Sequence, residues 1–147
     1  MTVFVSDAGD SVSRQVDDVL QAIAALRNEG RIGEALERVR AAGGSIFGPQ
    51  WRTFDHTDAE VTARLLRTVD RILGAAEILQ ATGELYALRE EPDAARACWR
   101  RALELCLETV LSSTAPDPRA LSMIATLRTK ADEWRLARRY RGVLDAP

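Results

Sequence analysis

The chain has 147 residues, of which 46% are hydrophobic and 29% are charged, and its formal net charge is −2. This length predicts one domain of ordinary globular composition, and the slightly negative charge argues against general nucleic-acid binding, which needs a basic surface. No apolar run reaches the ~18 residues of a membrane span, and the first residues lack the basic and apolar segments of a secretory signal. We therefore expect a cytoplasmic protein.

Helical periodicity dominates the sequence and predicts an all-α fold of about five to six helices. Residues 1–12 are expected to be a loose N-terminus, and residues 13–147 a single domain. The first helix is predicted over residues 13–28 and the second over residues 32–42. We expect Gly43-Gly44 to end the second helix, because glycine is common just after a helix C-terminus.

A heptad pattern predicts one unusually long third helix of about 32 residues, which begins at Asp55 or Thr57. The residues that carry the pattern recur at alternating spacings of four and three: Leu65, Val69, Ile72, Ala76, Leu79, Gly83 and Tyr86. No proline or turn cluster interrupts the run, and one glycine in a helix costs only about 1 kcal/mol. We therefore expect this helix to continue across Gly74.

The rest of the chain predicts a helix over residues 92–111 and a divided helical stretch over residues 118–144. Pro92 suits the first turn of a helix, because its missing N–H would be unpaired there in any case. The loop SSTAPDP separates the two stretches, and the second stretch is expected to divide near residues 130–133.

Residues 79–105, LQATGELYALREEPDAARACWRRALEL, place small and large residues at fixed offsets on two predicted helices. Gly83 and Ala95 would let the helices approach closely, and Tyr86 and Trp99 would fill the space beside them. The segment resembles one helix–turn–helix unit of the tetratricopeptide-repeat family.

Two poorer units of the same kind are found at residues 19–42 and 120–144. The first lies sixty residues before the middle unit, and in the last either Leu136 or Ala137 can take the small-residue position. The resemblance implies antiparallel helix pairs that bind another protein or a peptide on a concave surface, with no cofactor and no metal.

The segment over residues 43–56 is the best candidate for a partner contact, because it combines three aromatic residues with Arg52 on a long predicted connection. Phe47, Trp51 and Phe54 would either plug the space between helices or contact a partner, and both roles can hold together.

In the tetratricopeptide-repeat family the first helix of each unit lines the groove. The resemblance therefore implies that Arg27 and Asn28 in the first unit, and Gln80 and Glu84 in the middle unit, are groove positions. The lysine and asparagine clamp that binds a terminal carboxylate in one version of the family is absent here. We therefore do not expect recognition of a peptide C-terminus.

Other polar residues give no catalytic or metal-binding constellation. His56, the only histidine, is expected to cap a helix or to lie on the surface. A basic group on the C-terminal half is expected to be a solvated helix face, although an acidic partner or a phosphate could use it: Arg100, Arg101, Arg135, Arg138, Arg139 and Arg141.

The sequence thus predicts a protein-interaction domain that is not an enzyme. One alternative is a homodimeric structural or regulatory protein that self-associates through the long central helix. The other is a helical ligand-sensing domain or an enzyme.

Overall fold

The computed structural model describes residues 9–146, apart from the side chains of residues 9, 10, 55 and 56. Within this range the chain is helical and contains no strand. The α-helices are α1 Gly9–Asn28, α2 Ile32–Phe47, α3 Ala59–Leu66, α4 Val69–Leu88, α5 Pro92–Leu111, α6 Pro118–Leu127 and α7 Arg138–Asp145. Two 3₁₀ helices cover Pro49–His56 and Glu133–Arg135.

The all-α prediction is confirmed, and α5 has the predicted bounds. The predicted division of the last helical stretch is also present, because a 3₁₀ helix separates α6 from α7. The loose N-terminus is wrong for residues 9–12, since α1 already begins at Gly9. Residues 1–8 and the side chain of His56 lie outside the described part of the chain.

The turns that join α1 to α2 and α4 to α5 are built alike. The N–H of Arg31 donates to the carbonyl of Leu26, and the N–H of Glu91 donates to the carbonyl of Tyr86, each at 2.9 Å. The residue before each donor has a positive φ: 76° at Gly30 and 61° at Glu90. The matching residues of the two turns are sixty residues apart, and each turn joins two helices into a hairpin.

Ion pairs at the helix ends show that α1, α4 and α6 run in the same direction. Asp70 and Arg119 join the first turns of α4 and α6, and Glu84 pairs with Lys130 just beyond the end of α6. Arg27 in the last turn of α1 also pairs with Glu84. Because each hairpin reverses the chain, α2 and α5 run antiparallel to these three helices.

The single long third helix does not form, and α3 and α4 take its place. Arg67 ends α3 with a φ of 75°, and the Thr68 side chain then caps α4 by accepting a hydrogen bond from the Arg71 N–H at 3.1 Å. A threonine cap satisfies one of the free N–H groups of the new helix. As a result α3 packs mainly against α5. The predicted continuity across Gly74 is confirmed, because α4 has no break there.

The second helix does not end at Gly43-Gly44 but continues to Phe47. Gly43 is buried against the indole of Trp51, and a Cβ at this position would approach three ring atoms to less than 3.0 Å. Gly48, with a φ of 99°, ends the helix instead. The following residues then form the Pro49–His56 3₁₀ helix, where an open connection was expected.

Replacing Gly43 with alanine should lower the free energy of unfolding by about 1–3 kcal/mol, because the added methyl group overpacks the contact with Trp51. Gly44 is the matched control, since a Cβ there would meet nothing within 4 Å. Gly44→Ala should leave stability unchanged or raise it by up to about 1 kcal/mol, as alanine is the better helix former. Thermal unfolding of both variants is the measurement, and an equal gain in stability for the two would contradict the contact.

Candidate functional site

A groove of about 770 Å³ lies between α2 and α5, with lining residues from these helices, from α4 and from the Pro49–His56 3₁₀ helix. Both α2 and α5 pack against α4, which supplies Leu79, Thr82 and Tyr86 to the lining. We call this surface the α2–α5 groove. Its apolar lining is formed chiefly by Leu36, Val39, Trp51, Phe54, Leu79 and Tyr86.

The floor of the α2–α5 groove is formed by Leu79 and Thr82, and the Thr82 hydroxyl is already paired. Thr82 on α4 donates its hydroxyl hydrogen bond to the carbonyl of Ile78 at 2.7 Å, within its own helix. Leu79 beside it is only 8% exposed. Because the polar group of the floor is already paired, the floor favours an apolar side chain from a ligand.

The rim of the groove is positively charged although the whole chain has a formal charge of −2. It carries Arg40, Arg52, Arg100, Arg101, Glu91 and Glu104. Neither Arg40 nor Arg52, both exposed, forms an ion pair with another side chain that the structure describes. These two guanidinium groups are therefore available to an acidic ligand.

Glu104 is a partly buried carboxylate at one end of the groove. Its burial raises its pKa above the ordinary value, while the nearby Arg101 and Arg100 act in the opposite direction. The carboxylate lies 3.7 Å from the Arg101 guanidinium. Burial has the larger effect, so folding makes the carboxyl group of Glu104 easier to protonate than it is in the unfolded chain.

A raised pKa in the folded state makes the contribution of Glu104 to stability greatest below its unfolded pKa, and this contribution is lost as the pH rises through the folded value. Glu104→Gln removes the charge, so it should raise the melting temperature at neutral pH and change it less at mildly acidic pH. Glu37→Gln, at an exposed position on α2, is the control and should have little effect at either pH. A fall in melting temperature for Glu104→Gln at neutral pH would contradict this reasoning.

A second cavity of about 280 Å³ adjoins the groove and shares part of its rim. Beside it the buried carboxylate of Glu108 accepts a hydrogen bond from the Tyr140 hydroxyl at 2.8 Å and pairs with Arg139. Burial is the main cause that raises the pKa of Tyr140 to about 12. This cluster attaches α7 to α5, so Arg139 has a structural partner and is not simply part of a solvated face.

The predicted aromatic segment contributes to the groove in a different way for each residue. Trp51, Arg52 and Phe54 line it, whereas Phe47 lies behind Trp51 with the two rings stacked at 5.1 Å. Phe47 and Phe54 are only 2% and 5% exposed, so both are core residues. They fill space between helices, which is the first of the two roles considered for this segment. Trp51 is half-buried, because one part of its ring covers Gly43 and another lines the groove.

The four positions implied by the family resemblance do not line the α2–α5 groove. Arg27 and Glu84 are brought together as an ion pair of 3.5 Å, and Asn28 is the exposed last residue of α1. The backbone carbonyl of Gln80 accepts the indole N–H of Trp99 at 3.2 Å. The first-helix charges thus pair with each other, and the concave site lies between the second helices.

The groove residue that sequence reasoning missed is Arg40, and Arg100 was assigned to a solvated face. These two arginines are sixty residues apart, which is the offset between the two hairpins, and they lie on opposite walls of the groove. A basic residue that recurs at an offset of sixty residues was therefore the available signal.

Comparisons of the chain with protein-family models, with curated proteins and with solved structures found no match. Among the described residues, no group of three or more histidine, cysteine, aspartate or glutamate side chains is placed to hold a metal ion. None of the helices in residues 9–146 has the length and apolar character needed to cross a bilayer.

Proposed function

We propose that this chain is a protein-interaction domain built from tetratricopeptide-like helix hairpins, and that the α2–α5 groove is its binding surface. The observation that carries the proposal is the groove itself, which combines an apolar floor with a charged rim in a volume of about 770 Å³. Protein interfaces have this organisation, with an apolar centre and a polar, solvated edge.

The repeat-like arrangement supports the same class of protein. Two hairpins share one turn geometry at equivalent positions, and their first helices run in the same direction. The offset of sixty residues exceeds the 34 residues typical of the family. The extra chain contains the Pro49–His56 3₁₀ helix, packed on α2, and α3, packed on α5. This insertion lies beside the second helices, and its 3₁₀ helix supplies Trp51, Arg52 and Phe54 to the groove lining.

Self-association through a long central helix is not favoured by this arrangement. The predicted helix is divided at Arg67, and the apolar residues of α4 are largely buried within one copy of the chain. A heptad face that is already covered by α1, α2 and α5 offers no stripe for a second copy.

Site-specific photocrosslinking tests the proposal. A photoreactive amino acid is placed at Ala97, an exposed position that lines the groove, and as a control at Ala125, an exposed position on α6 outside it. In cells that express the chain, residue 97 should form an adduct with another polypeptide and residue 125 should not. The proposal fails if residue 97 forms no protein adduct, or if both positions give the same adducts.

A further inference from the structure

We infer that the α2–α5 groove binds an acidic peptide segment that inserts one large apolar side chain. This inference rests on the proposed function and specifies the chemistry of the partner.

Charge complementarity is the first argument. Arg40 projects from α2 and Arg52 from the 3₁₀ helix, and Arg100 lines the opposite wall on α5. An anionic segment that lies between them has a guanidinium group on either side. Arginine binds carboxylates through two parallel hydrogen bonds, which gives both affinity and orientation.

The apolar floor is the second argument, and it separates a peptide from a simple polyanion. Leu36, Leu79 and the half-buried Trp51 ring line the groove together, and the Thr82 hydroxyl is already paired within α4. A single phenylalanine or leucine side chain that covers this surface would bury apolar area, as the central anchors of protein interfaces do.

The length of the groove sets the length of the segment. Its lining on α5 extends from Glu91 to Glu104, which is about 20 Å at a rise of ~1.5 Å per residue. An extended chain covers that distance with about six residues, at ~3.3 Å per residue. The proposed contacts are to side chains of the segment and not to a terminal carboxylate. The segment can therefore be internal to the partner.

The probe for the test is a synthetic peptide of about seven residues, with a central phenylalanine flanked by glutamates. Its binding is followed by the indole N–H signals of the ¹⁵N-labelled chain, which contains three tryptophans. Trp51 lines the groove, whereas Trp134 is 70% exposed and does not line it. A saturable shift of the Trp51 signal, with the Trp134 signal unchanged, is the expected result.

Two altered peptides test the charge complementarity and the apolar anchor separately. Replacing the glutamates by lysines should abolish the shift, and replacing the phenylalanine by alanine should weaken binding by about tenfold or more. Equal binding of the lysine peptide would overturn the electrostatic argument. Equal binding of the alanine peptide would show a polyanion site without an apolar anchor, and would also overturn the inference.

Matched charge-reversal variants test the arginines directly. The double variant Arg40→Glu and Arg52→Glu should weaken binding of the acidic probe by at least about tenfold, with greater loss at low salt. The control variant Arg14→Glu and Arg38→Glu makes the same charge change at exposed positions outside the groove. An equal loss in both variants would indicate a general charge effect and contradict the inference.

Failure of this inference can be distinguished from failure of the proposed function. If residue 97 crosslinks a polypeptide while the acidic probe leaves the Trp51 signal unchanged, the groove binds a protein of different chemistry and only the inference fails. If there is neither a crosslink nor a shift, both fail.

Discussion

Replacing Trp99 with alanine should lower the free energy of unfolding by about 3 kcal/mol, at the lower end of the range for aromatic truncations because the ring is only partly buried. The Trp99 indole lies on Gly83, where a Cβ would approach three ring atoms to less than 3.0 Å. Its N–H donates to the carbonyl of Gln80, and the Lys130 ammonium lies 5.3 Å from the ring centroid. Truncation removes the contacts of this side chain with α4 and its contact with Lys130, which follows α6.

For a chain of this length, 3 kcal/mol corresponds to a fall of roughly 6–12 °C in melting temperature. Trp134→Ala is the control, because this tryptophan is 70% exposed and its loss should change stability by no more than about 0.5 kcal/mol. Thermal unfolding followed by circular dichroism measures both variants. Equal, small changes would show that the pairing of α4 with α5 does not depend on Trp99.

Replacing Gly74 with proline should cost about 3 kcal/mol or more. The substitution deletes a backbone hydrogen bond in the middle of α4, and the proline ring clashes with the preceding turn. Gly74 is also tightly packed, since a Cβ there would already lie 3.0 Å from a methyl group of Val16. The expected outcome is a large loss of stability, measured by chemical denaturation.

Val69→Pro is the matched control in the same helix. Val69 is the first residue of α4, where no backbone hydrogen bond is lost, and the preceding Thr68 has the extended conformation that proline favours (φ −112°, ψ 151°). Its cost should therefore be much smaller than that of Gly74→Pro. Comparable losses would indicate that a continuous helix crosses residues 67–68 and would contradict the observed break.

The hairpins were predictable because their signals are local. A small residue faces a large one across α4 and α5, as at Gly83 and Trp99, and this pair is in contact in the structure. The bounds of α5 follow from Pro92 at its start and the polar loop after Leu111. In both cases short-range sequence preferences and tertiary packing favour the same structure.

The division of the third helix was missed because periodicity alone does not show a break. Leu65 and Val69 keep the apolar spacing across the turn, and no glycine or proline marks it. The available signal was Thr68, a good N-cap residue that is followed by Asp70 in the first turn. At Gly43 the sequence predicted a helix end that is absent. Local preference alone would end the helix at this glycine, but it packs against Trp51 inside the helix.

The candidate site could be predicted only in part. The aromatic segment was identified from composition, and Trp51 and Arg52 do line the groove. The opposite wall comes from α5, and the separation of α5 from α2 depends on how both helices pack against α4. That separation is a tertiary property. The groove, with Arg40 and Arg100 on its opposite walls, therefore could not be predicted from any single segment of the sequence.

The most direct test of the α2–α5 groove as a protein-binding surface is quantitative affinity purification with a variant that fills it. Ala97→Trp places a large ring at an exposed position of the lining, and Ala125→Trp does the same on α6 outside the groove. Circular dichroism would confirm that both variants keep the melting temperature of the wild-type chain. If the α2–α5 groove is the binding surface, a protein that the wild-type chain enriches should also be enriched by Ala125→Trp and should be lost with Ala97→Trp. Retention of every enriched protein by Ala97→Trp, at the wild-type level, would contradict it.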